Sequence, residues 1–312
     1  MRYSSNPFSR ATAFYGQHRR LAMGIMLLLL CLALLVCWRV GMSHRSGESG
    51  YRYVSVPITE EEYARNFSYL HISEADRSTA CDTFEALDLS GHVDGIEIDA
   101  GGNYCLTGDM TGRITIDAED QIVHLFLEGV EITSRSGPAI LCNNAGKLVI
   151  TLVDGSRNRI SDSGDYRQDI DTEACIWAGC DLTLNGGGAL EVNGYYKDAI
   201  RSKDILRILG GNYTVKCKRT GFHGNDGIVV TGGNFTVSSE KNGFKTANTG
   251  SDGRGSLIIG GGEMKIIAGR YAFVTSKASF YVYNCEIQSR SVVGTCDVAN
   301  VQKIQRGCIH EY

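Results

Sequence analysis

Short runs of alternating apolar and polar residues fill the middle of the chain, and they recur with a fixed spacing. Ile200, Phe222 and Phe244 occupy the same place in three successive copies of one phrase, in which a strand-like run and a glycine pair follow. The step between these positions is 22 residues each time. Alternation over four or five residues predicts half-buried β-strands, and the glycine pairs predict corners. A repeat of this length is typical of a solenoid.

A 22-residue coil is too small to bury its own apolar side chains, so stacked coils must bury them together. The same register reaches back to Ile140 and Ile176 and forward to Phe273, with longer steps that leave room for inserted loops. The sequence contains neither a leucine-rich-repeat consensus nor long amphipathic helices between the strands. The pattern therefore predicts an all-β fold, a right-handed parallel β-helix of at least five coils over residues 81–290.

The N-terminal residues follow a different pattern. Positions 21–38 form an uncharged, leucine-rich run that is long enough to span a bilayer core, and basic residues are denser before it than just after it. A cleaved secretory signal peptide is the alternative, but no small-x-small cleavage site follows the run. The predicted order is a cytoplasmic tail (1–20), one transmembrane signal anchor (21–40), a stalk (41–80), the β-helix outside the cell (81–290) and a C-terminal tail or cap (291–312).

The composition argues against nucleic-acid binding and zinc knuckles, but it does not identify a function. The net charge is −4 and no basic stripe follows the first twenty residues, which excludes a nucleic-acid-binding surface. Eleven cysteines are present, and none forms paired Cys-x-x-Cys zinc knuckles. In an oxidising exterior, Cys296 with Cys308 and Cys175 with Cys180 are candidates for disulfide bonds, although the pairing stays open at this point.

Several motifs between residues 91 and 287 resemble a family of bacterial carbohydrate-binding β-helix proteins. The described members of that family bind polygalacturonic acid and carry bound calcium. The resemblance implies a parallel β-helix, non-catalytic binding of a polysaccharide, and calcium as a cofactor. The motifs that carry it lie at 100–108 (Ala-Gly-Gly-Asn-Tyr-x-Leu-x-Gly), 127–132, 137–140, 147–152 and the 198–204 turn.

The chain departs from the family pattern at the turns. Such proteins repeat an aspartate before each turn, and here only Asp198 keeps it, because Thr220, Asn242 and Tyr271 occupy the equivalent places in later coils. This departure implies fewer or weaker calcium sites than in close family members.

Two sets of acidic residues are candidate calcium ligands. Asp204 and Asp226 are predicted to stack at one corner about 4.8 Å apart, where like charges repel unless a cation lies between them or solvent screens them. The loop from 162 to 173 is rich in carboxylates but lacks the EF-hand spacing. The alternative for both sets is solvated acidic side chains. The candidate ligands are Asp198, Asp204, Asp226, Asn225, Asn248, Asp162, Asp165, Asp169, Asp171 and Glu173.

Basic and aromatic residues of the same turns are candidates for sugar recognition. Arg201, His223 and Lys245 directly follow the three apolar repeat positions, so they are predicted to form one column that would face uronate carboxylates. The alternative is a solvated column that balances the neighbouring aspartates. The carbohydrate-binding candidates are Trp177, Tyr195, Tyr196, Lys197, Arg201, Lys203, His223 and Lys245.

Enzymes compete with this interpretation, because pectate lyases and polygalacturonases share the architecture and fold does not determine function. A glycosidase needs carboxylates that converge on one cleft, and no compact acidic cluster beside a histidine or arginine stands out on the coils. We predict a non-catalytic, membrane-anchored protein that binds an extracellular acidic polysaccharide with calcium. The alternatives are a lyase or hydrolase of the pectinase-like β-helix type and a structural or adhesive surface solenoid.

Overall fold

The computed structural model describes residues 53–54, 59, 61–63, 67–80, 83–164, 166, 172–249, 254–298 and 302–312. The predicted cytoplasmic tail and transmembrane segment lie outside these residues. Among the residues that are described, no helix combines the length and apolar character needed to cross a membrane.

Parallel β-strands account for most of the described chain. The first twelve are β1 (Tyr53–Val54), β2 (Glu85–Asp88), β3 (Ile96–Ile98), β4 (Gly102–Thr111), β5 (Ile114–Thr133), β6 (Ile140–Leu152), β7 (Arg157–Ser161), β8 (Ala174–Ala178), β9 (Leu182–Gly186), β10 (Ala189–Gly194), β11 (Asp198–Ser202) and β12 (Ile205–Ile208). The others are β13 (Asn212–Cys217), β14 (Thr220–Gly224), β15 (Gly227–Val230), β16 (Asn234–Ser239), β17 (Asn242–Thr246), β18 (Ser256–Ile259), β19 (Glu263–Ala268), β20 (Tyr271–Thr275), β21 (Phe280–Val282), β22 (Glu286–Ser291), β23 (Gly294–Val298), β24 (Gln302–Gln305) and β25 (Ile309–Glu311).

The strands pair from coil to coil into three faces of one solenoid. Sheet 1 runs through β3, β5, β6, β8, β11, β14, β17, β20 and β23. Sheet 2 contains β2, β4, β5, β6, β9, β12, β15, β18, β21, β24 and β1. Sheet 3 contains β4, β5, β7, β10, β13, β16, β19, β22 and β25. All these pairings are parallel, so the all-β prediction is confirmed and the architecture is consistent with a parallel β-helix.

The apolar repeat positions are vertical neighbours in the interior, as the spacing predicts. Ile200 pairs with Phe222, which pairs with Phe244, and all three are fully buried. The rings of Phe222 and Phe244 stack with centroids 4.7 Å apart, and Phe273 continues the column at 5.7 Å from Phe244. Such aromatic pairs add about 0.5–1.5 kcal/mol each beyond the burial of their area. This column holds successive coils in one register.

The residues predicted as a stalk include a segment that packs on the solenoid. Residues 61–63 and 67–80, hereafter the strap, belong to the same compact unit as the coils, which spans Arg52 to Tyr312. Phe67 and Leu70 of the strap are buried against the outer face of sheet 2, where they join Val229 and Tyr281 in one apolar cluster. A 3₁₀ turn (Ser68–Leu70) and one short helix, α1 (Glu74–Arg77), shape the strap.

A buried carboxylate fixes the far end of the strap. Asp76 belongs to a capping box with Ser73 at the start of α1 and is fully buried. Its carboxylate accepts hydrogen bonds from Lys147 at 2.8 Å and from Thr183 at 2.5 Å. Burial raises the pKa of Asp76, but the hydrogen bonds from Lys147 and Ser73 outweigh it and lower the pKa to about 2.

Candidate functional site

The outer face of sheet 1 carries one column of aromatic and basic side chains. Strand register places Trp177 beside Arg201, Arg201 beside His223, and His223 beside Lys245. Neighbouring strands lie about 4.8 Å apart, so the column presents four large side chains in a row. The inner residues of the same strands are the aliphatic and aromatic repeat positions, which is why alternation sends these four outward.

A buried carboxylate supports this column from one side. Asp198 is fully buried at the start of β11, and its carboxylate accepts two hydrogen bonds from Arg219 at 2.7 and 2.8 Å. It also lies 3.0 Å from Nδ1 of His223 and accepts the backbone N–H of Thr220 at 3.1 Å. All the oxygens of Asp198 are therefore occupied by protein donors.

A second carboxylate joins three cations. Glu173 pairs with Arg201 at 3.2 Å, with Arg219 at 2.6 Å, and also with Lys197. Arg219 thus bridges Glu173 and Asp198. The resulting cluster of Glu173, Lys197, Asp198, Arg201, Arg219, His223 and Lys245, hereafter the basic cluster, contains four basic side chains and a histidine against two carboxylates.

The protonation states in the basic cluster follow from burial and pairing. Burial raises the pKa of Asp198, but hydrogen bonds from His223 and Arg219 outweigh it and lower the pKa to about 2. Burial raises the pKa of Glu173 as well, and the Lys197 and Arg219 hydrogen bonds bring it down to about 2. Burial lowers the pKa of His223 more than its contact with Asp198 raises it, so this imidazole is neutral at pH 7. Burial also lowers the pKa of Lys245.

Three groups in the basic cluster have unused hydrogen-bonding capacity. Nε of Arg201 and Nε2 of His223 are buried and have no hydrogen-bond partner. Lys245 forms no ion pair or hydrogen bond with any described residue. Because Asp198 is ionised and accepts at Nδ1 of His223, the proton of the neutral ring lies on Nδ1, and Nε2 is a free acceptor. Buried polar atoms without partners are rare in proteins, and they point to a group that would satisfy them.

The other predicted sugar-binding residues surround this cluster. Trp177 is only 7% exposed, and the Lys203 ammonium lies 5.6 Å from its ring centroid. Tyr196 stacks on Tyr166 at 4.1 Å. Tyr195 is 52% exposed, so it is the predicted aromatic residue that is most available for stacking.

The predicted corner of aspartates is brought together, but protein groups occupy it. The backbone N–H of Asp226 donates to the carbonyl of Asp204 at 2.9 Å. The Asp226 carboxylate accepts the Asn225 and Asn248 amides, both at 2.9 Å, and pairs with Arg254 at 2.9 Å. Burial, followed by the nearby charges of Asp181 and Asp226, raises the pKa of Asp204.

The two described carboxylates at the ends of the acidic loop, Asp162 and Glu173, lie in different surroundings. Asp162 is buried, and it accepts hydrogen bonds from the Tyr166 hydroxyl at 2.7 Å and from the Tyr195 backbone at 2.6 Å. Burial outweighs these bonds and raises its pKa to about 6. Glu173 lies in the basic cluster, whereas Asp165, Asp169 and Asp171 lie outside the described residues. Within the described part of the chain, no three His, Cys, Asp or Glu side chains are grouped so that they would hold a metal ion.

Two features were missed by sequence reasoning. Arg219, the centre of the basic cluster, sits in a corner one residue before the repeat phrase, and its signal was a basic residue at the same corner of each coil, with Lys197 before it and Lys241 after it. Sheet 3 carries two adjoining open depressions of about 530 and 670 Å³, whose shared wall contains Glu131, Arg159 and Glu191. Arg159 lies 3.4 Å from Glu191, and alternation alone gave no reason to single out these residues.

Comparisons with known proteins point to carbohydrate binding. The family profile described as carbohydrate-binding domain-containing protein matches residues 93–304. A protein of that description from Acetivibrio thermocellus is 35% identical over 222 residues, which cover 69% of this chain and 77% of the relative. A solved structure, described as the polysaccharide lyase-like protein from C. thermocellum in a gadolinium derivative, superposes with a TM-score of 0.69 at 29% identity. The superposition covers 73% of this chain and 99% of that one.

Asp198→Asn is expected to destabilise the protein by about 3 kcal/mol at pH 7, because it leaves Arg219 without its buried partner. The folded-state pKa of Asp198 is about 2, below the ordinary 3.8, so its stabilisation is present above pH 3.8 and is lost as the pH falls towards 2. The measurement is urea unfolding of both proteins from pH 7 to pH 2.5.

The two unfolding curves should approach each other across the acidic end of this range. Asp154→Asn, at an exposed corner of the same solenoid, serves as the control and should stay within about 0.5 kcal/mol of the parent. A destabilisation by Asp198→Asn that does not change with pH would contradict the assigned charge state.

Proposed function

This chain belongs to the family of carbohydrate-binding domain-containing proteins, and from that premise we propose that its basic cluster binds an acidic, polygalacturonate-like polysaccharide without cleaving it. The observation that carries the proposal is that Nε of Arg201, Nε2 of His223 and the Lys245 ammonium, on one column, have no hydrogen-bond partner among the described residues. Sugars are bound through hydroxyls and, in uronates, through carboxylates, and this set offers partners for both.

Arg201, His223 and Lys245 together offer partners for the carboxylates and a hydroxyl of two adjacent uronate residues. Arg201 and Lys245 are donors for carboxylates, while Nε2 of neutral His223 is an acceptor for a sugar hydroxyl. Arg201 and Lys245 are two strands apart, about 10 Å, so they address different sugar rings along the solenoid axis. Nε of Arg201 and Nε2 of His223 are covered in the free protein, so binding requires the partly exposed side chains of Arg201 and Lys245 to move.

Aromatic residues at the margin complete the proposed surface. Tyr195 provides an exposed ring for stacking against a sugar face. Trp177 offers little free surface, and its ring is expected to act mainly by holding Lys203 near the column.

The charge states favour a binder over a hydrolase. A glycosidase needs one protonated carboxylic acid, and both carboxylates here have their pKa lowered to about 2. A lyase is the second candidate, because Lys245 has a lowered pKa and lies beside Arg201 and His223, as a base for proton abstraction would require.

Lys245→Ala and Arg201→Ala should each weaken binding to polygalacturonate about tenfold, since each removes one charge-assisted hydrogen bond worth roughly 1.5 kcal/mol. Affinity electrophoresis or calorimetry with polygalacturonate measures the loss. Lys265→Ala, which removes the same charge from the exposed face of sheet 3, is the matched control and should bind as the parent does.

Other results of this binding experiment would support a different function. Unchanged binding in both cluster variants would remove the basic cluster from the proposal. Absence of binding to any polysaccharide would favour a structural or adhesive solenoid. Formation of unsaturated ends, seen as ultraviolet absorbance, would assign the chain as a lyase.

Calcium assistance is part of the same proposal, with the Asp204 and Asp226 corner as its site. Asp204 carries a raised pKa beside Asp181 and Asp226, and a divalent cation would relieve that repulsion. A calcium ion would fit this corner only after two changes. Arg254, which now pairs with Asp226, must move away, and the Asn225 and Asn248 amides, which now donate to Asp226, must rotate. Arg254 is 47% exposed, and rotation of the two amides would turn their oxygens inward.

Calcium chloride should raise the melting temperature of the parent protein, because a ligand that binds only the folded state stabilises it. Asp226→Asn should remove most of that increase, as it halves the charge of the proposed ligand pair. Asp109→Asn, an exposed aspartate of sheet 3, is the control. If both variants respond to calcium as the parent does, the cation binds elsewhere or not at all.

We further propose a right-handed coil displayed outside the cell by an uncleaved anchor at residues 21–40. The hand follows from the strong preference of parallel crossovers for right-handed connections. The anchor rests on the length of the uncharged run and on the basic residues that precede it.

The full chain should stay in the membrane pellet after alkaline extraction. Replacing Leu27 and Leu30 together by arginine should release it, because each buried arginine costs about 2.5–3.5 kcal/mol at a bilayer centre. Replacing the same two residues by isoleucine should leave the chain in the pellet. A mature protein that begins after residue 40 would instead establish a cleaved signal peptide.

A further inference from the structure

Two pairs of cysteines from consecutive coils face each other. Cys142 on β6 and Cys180, just beyond β8, have their sulfur atoms 3.8 Å apart, and both residues are buried. Cys285 precedes β22 and Cys308 precedes β25, its partner strand, and both residues line the same open depression. We propose that Cys142 with Cys180, and Cys285 with Cys308, form two cystines that tie neighbouring coils together.

The geometry requires little movement. A disulfide bond is about 2.05 Å long, so the sulfur atoms of Cys142 and Cys180 need only a modest side-chain rotation to come within bonding distance. The backbone around this pair is already joined, since the N–H of Gly179 donates to the carbonyl of Cys142 at 2.8 Å. No shift of one coil against the other is needed.

The structure does not favour the pairs that the sequence suggested. Cys175 lies on β8 three residues before its end, so the extended chain runs about 10 Å beyond it before the turn that holds Cys180. Cysteines whose Cα atoms are more than about 7 Å apart do not bridge without backbone movement. Cys296 pairs with Phe273 on sheet 1, whereas Cys308 lies at the start of a sheet 3 strand.

The two proposed cystines lie at the longest step of the repeat and at the last coil. The Cys142–Cys180 pair encloses 38 residues of separation, including the acidic loop, in the longest step of the repeat. The Cys285–Cys308 pair closes the last coil, which has a neighbouring coil on one side only. The first cross-link closes the longer loop and so removes more entropy from the unfolded chain, and the second holds the terminal coil against fraying.

The bonds form by thiol–disulfide exchange with an oxidised low-molecular-weight disulfide. One cysteine thiolate attacks the reagent and releases one of its thiols, and the second cysteine thiolate then attacks the mixed disulfide and releases the other. The two protons leave with the released thiols, and the reagent takes up both electrons.

Burial decides when this exchange takes place. The hydrogen bond with Cys180 and burial raise the pKa of Cys142, and burial raises that of Cys285, so neither thiol ionises readily once the coils have closed. Oxidation therefore belongs to folding, in the oxidising exterior proposed above. A refolding experiment tests it independently of localisation and of glycan binding.

The test is refolding of the denatured full chain, in mild detergent, with oxidised and reduced glutathione. Alkylation after denaturation should then find seven free thiols among the eleven cysteines. The expected cross-links join tryptic peptide 136–147 to 168–197 and peptide 278–290 to 307–312. Cys175 and Cys180 share peptide 168–197, so the Cys175→Ala and Cys180→Ser variants decide which of the two is linked to Cys142.

Variants make the assignment specific. Cys142→Ala should abolish the first cross-link and leave the second, and Cys285→Ala should do the reverse. Cys175→Ala and Cys217→Ala, at buried strand positions, are matched controls that should keep both. If Cys142→Ala does not fold, Cys180→Ser tests the same link.

Thermal melting supplies a second readout. Reduction should lower the melting temperature of the parent more than that of either Cys142→Ala or Cys285→Ala. Eleven reactive thiols after refolding, or a cross-link involving Cys175, Cys217 or Cys296, would overturn the proposal.

Discussion

The hydrogen-bonded register between parallel coils is the constraint on which the rest of the molecule depends. Side chains alternate across a strand, so a register that stacks Ile200, Phe222 and Phe244 inside also stacks Arg201, His223 and Lys245 outside. A slip of one residue would exchange the two sets. The stacked phenylalanines make that slip costly, and the interior therefore determines the composition of the outer surface.

Charge compensation is the second level of organisation. Asp198 is fully buried, and its ionised form persists because Arg219 and His223 donate to it. The same Arg219 reaches Glu173, which ties the end of the acidic loop to sheet 1. Both carboxylates are thereby neutralised from within the protein. Nε of Arg201 and the Lys245 ammonium have no partner among the described residues, and this imbalance distinguishes the surface from a self-contained salt-bridge network.

The sequence allowed the coils and their columns to be predicted, because periodicity reports vertical neighbours directly. It did not allow the partners of Asp198 to be predicted. Asp198 looked like a solvated corner residue or a calcium ligand, and its burial depends on Arg219, a residue of the next corner whose equivalents Lys197 and Lys241 gave no sign that one of them would turn towards a carboxylate. The strap was hidden for a similar reason. Phe67 and Leu70 lie among polar residues, and only the exposed face of sheet 2 shows what they cover.

The path of the strap has a consequence for biosynthesis. It starts near the last coil, where Glu62 pairs with Lys303 of β24, and it ends beside Lys147 in the early coils. The strap is translated before all the coils, yet two of its partners, Tyr281 and Lys303, are among the residues translated last. Phe67 and Leu70 have no complete surface to cover while the chain is nascent. The coils can form in order during synthesis, but the strap can complete its contacts only after the strands that carry Tyr281 and Lys303 have been synthesised.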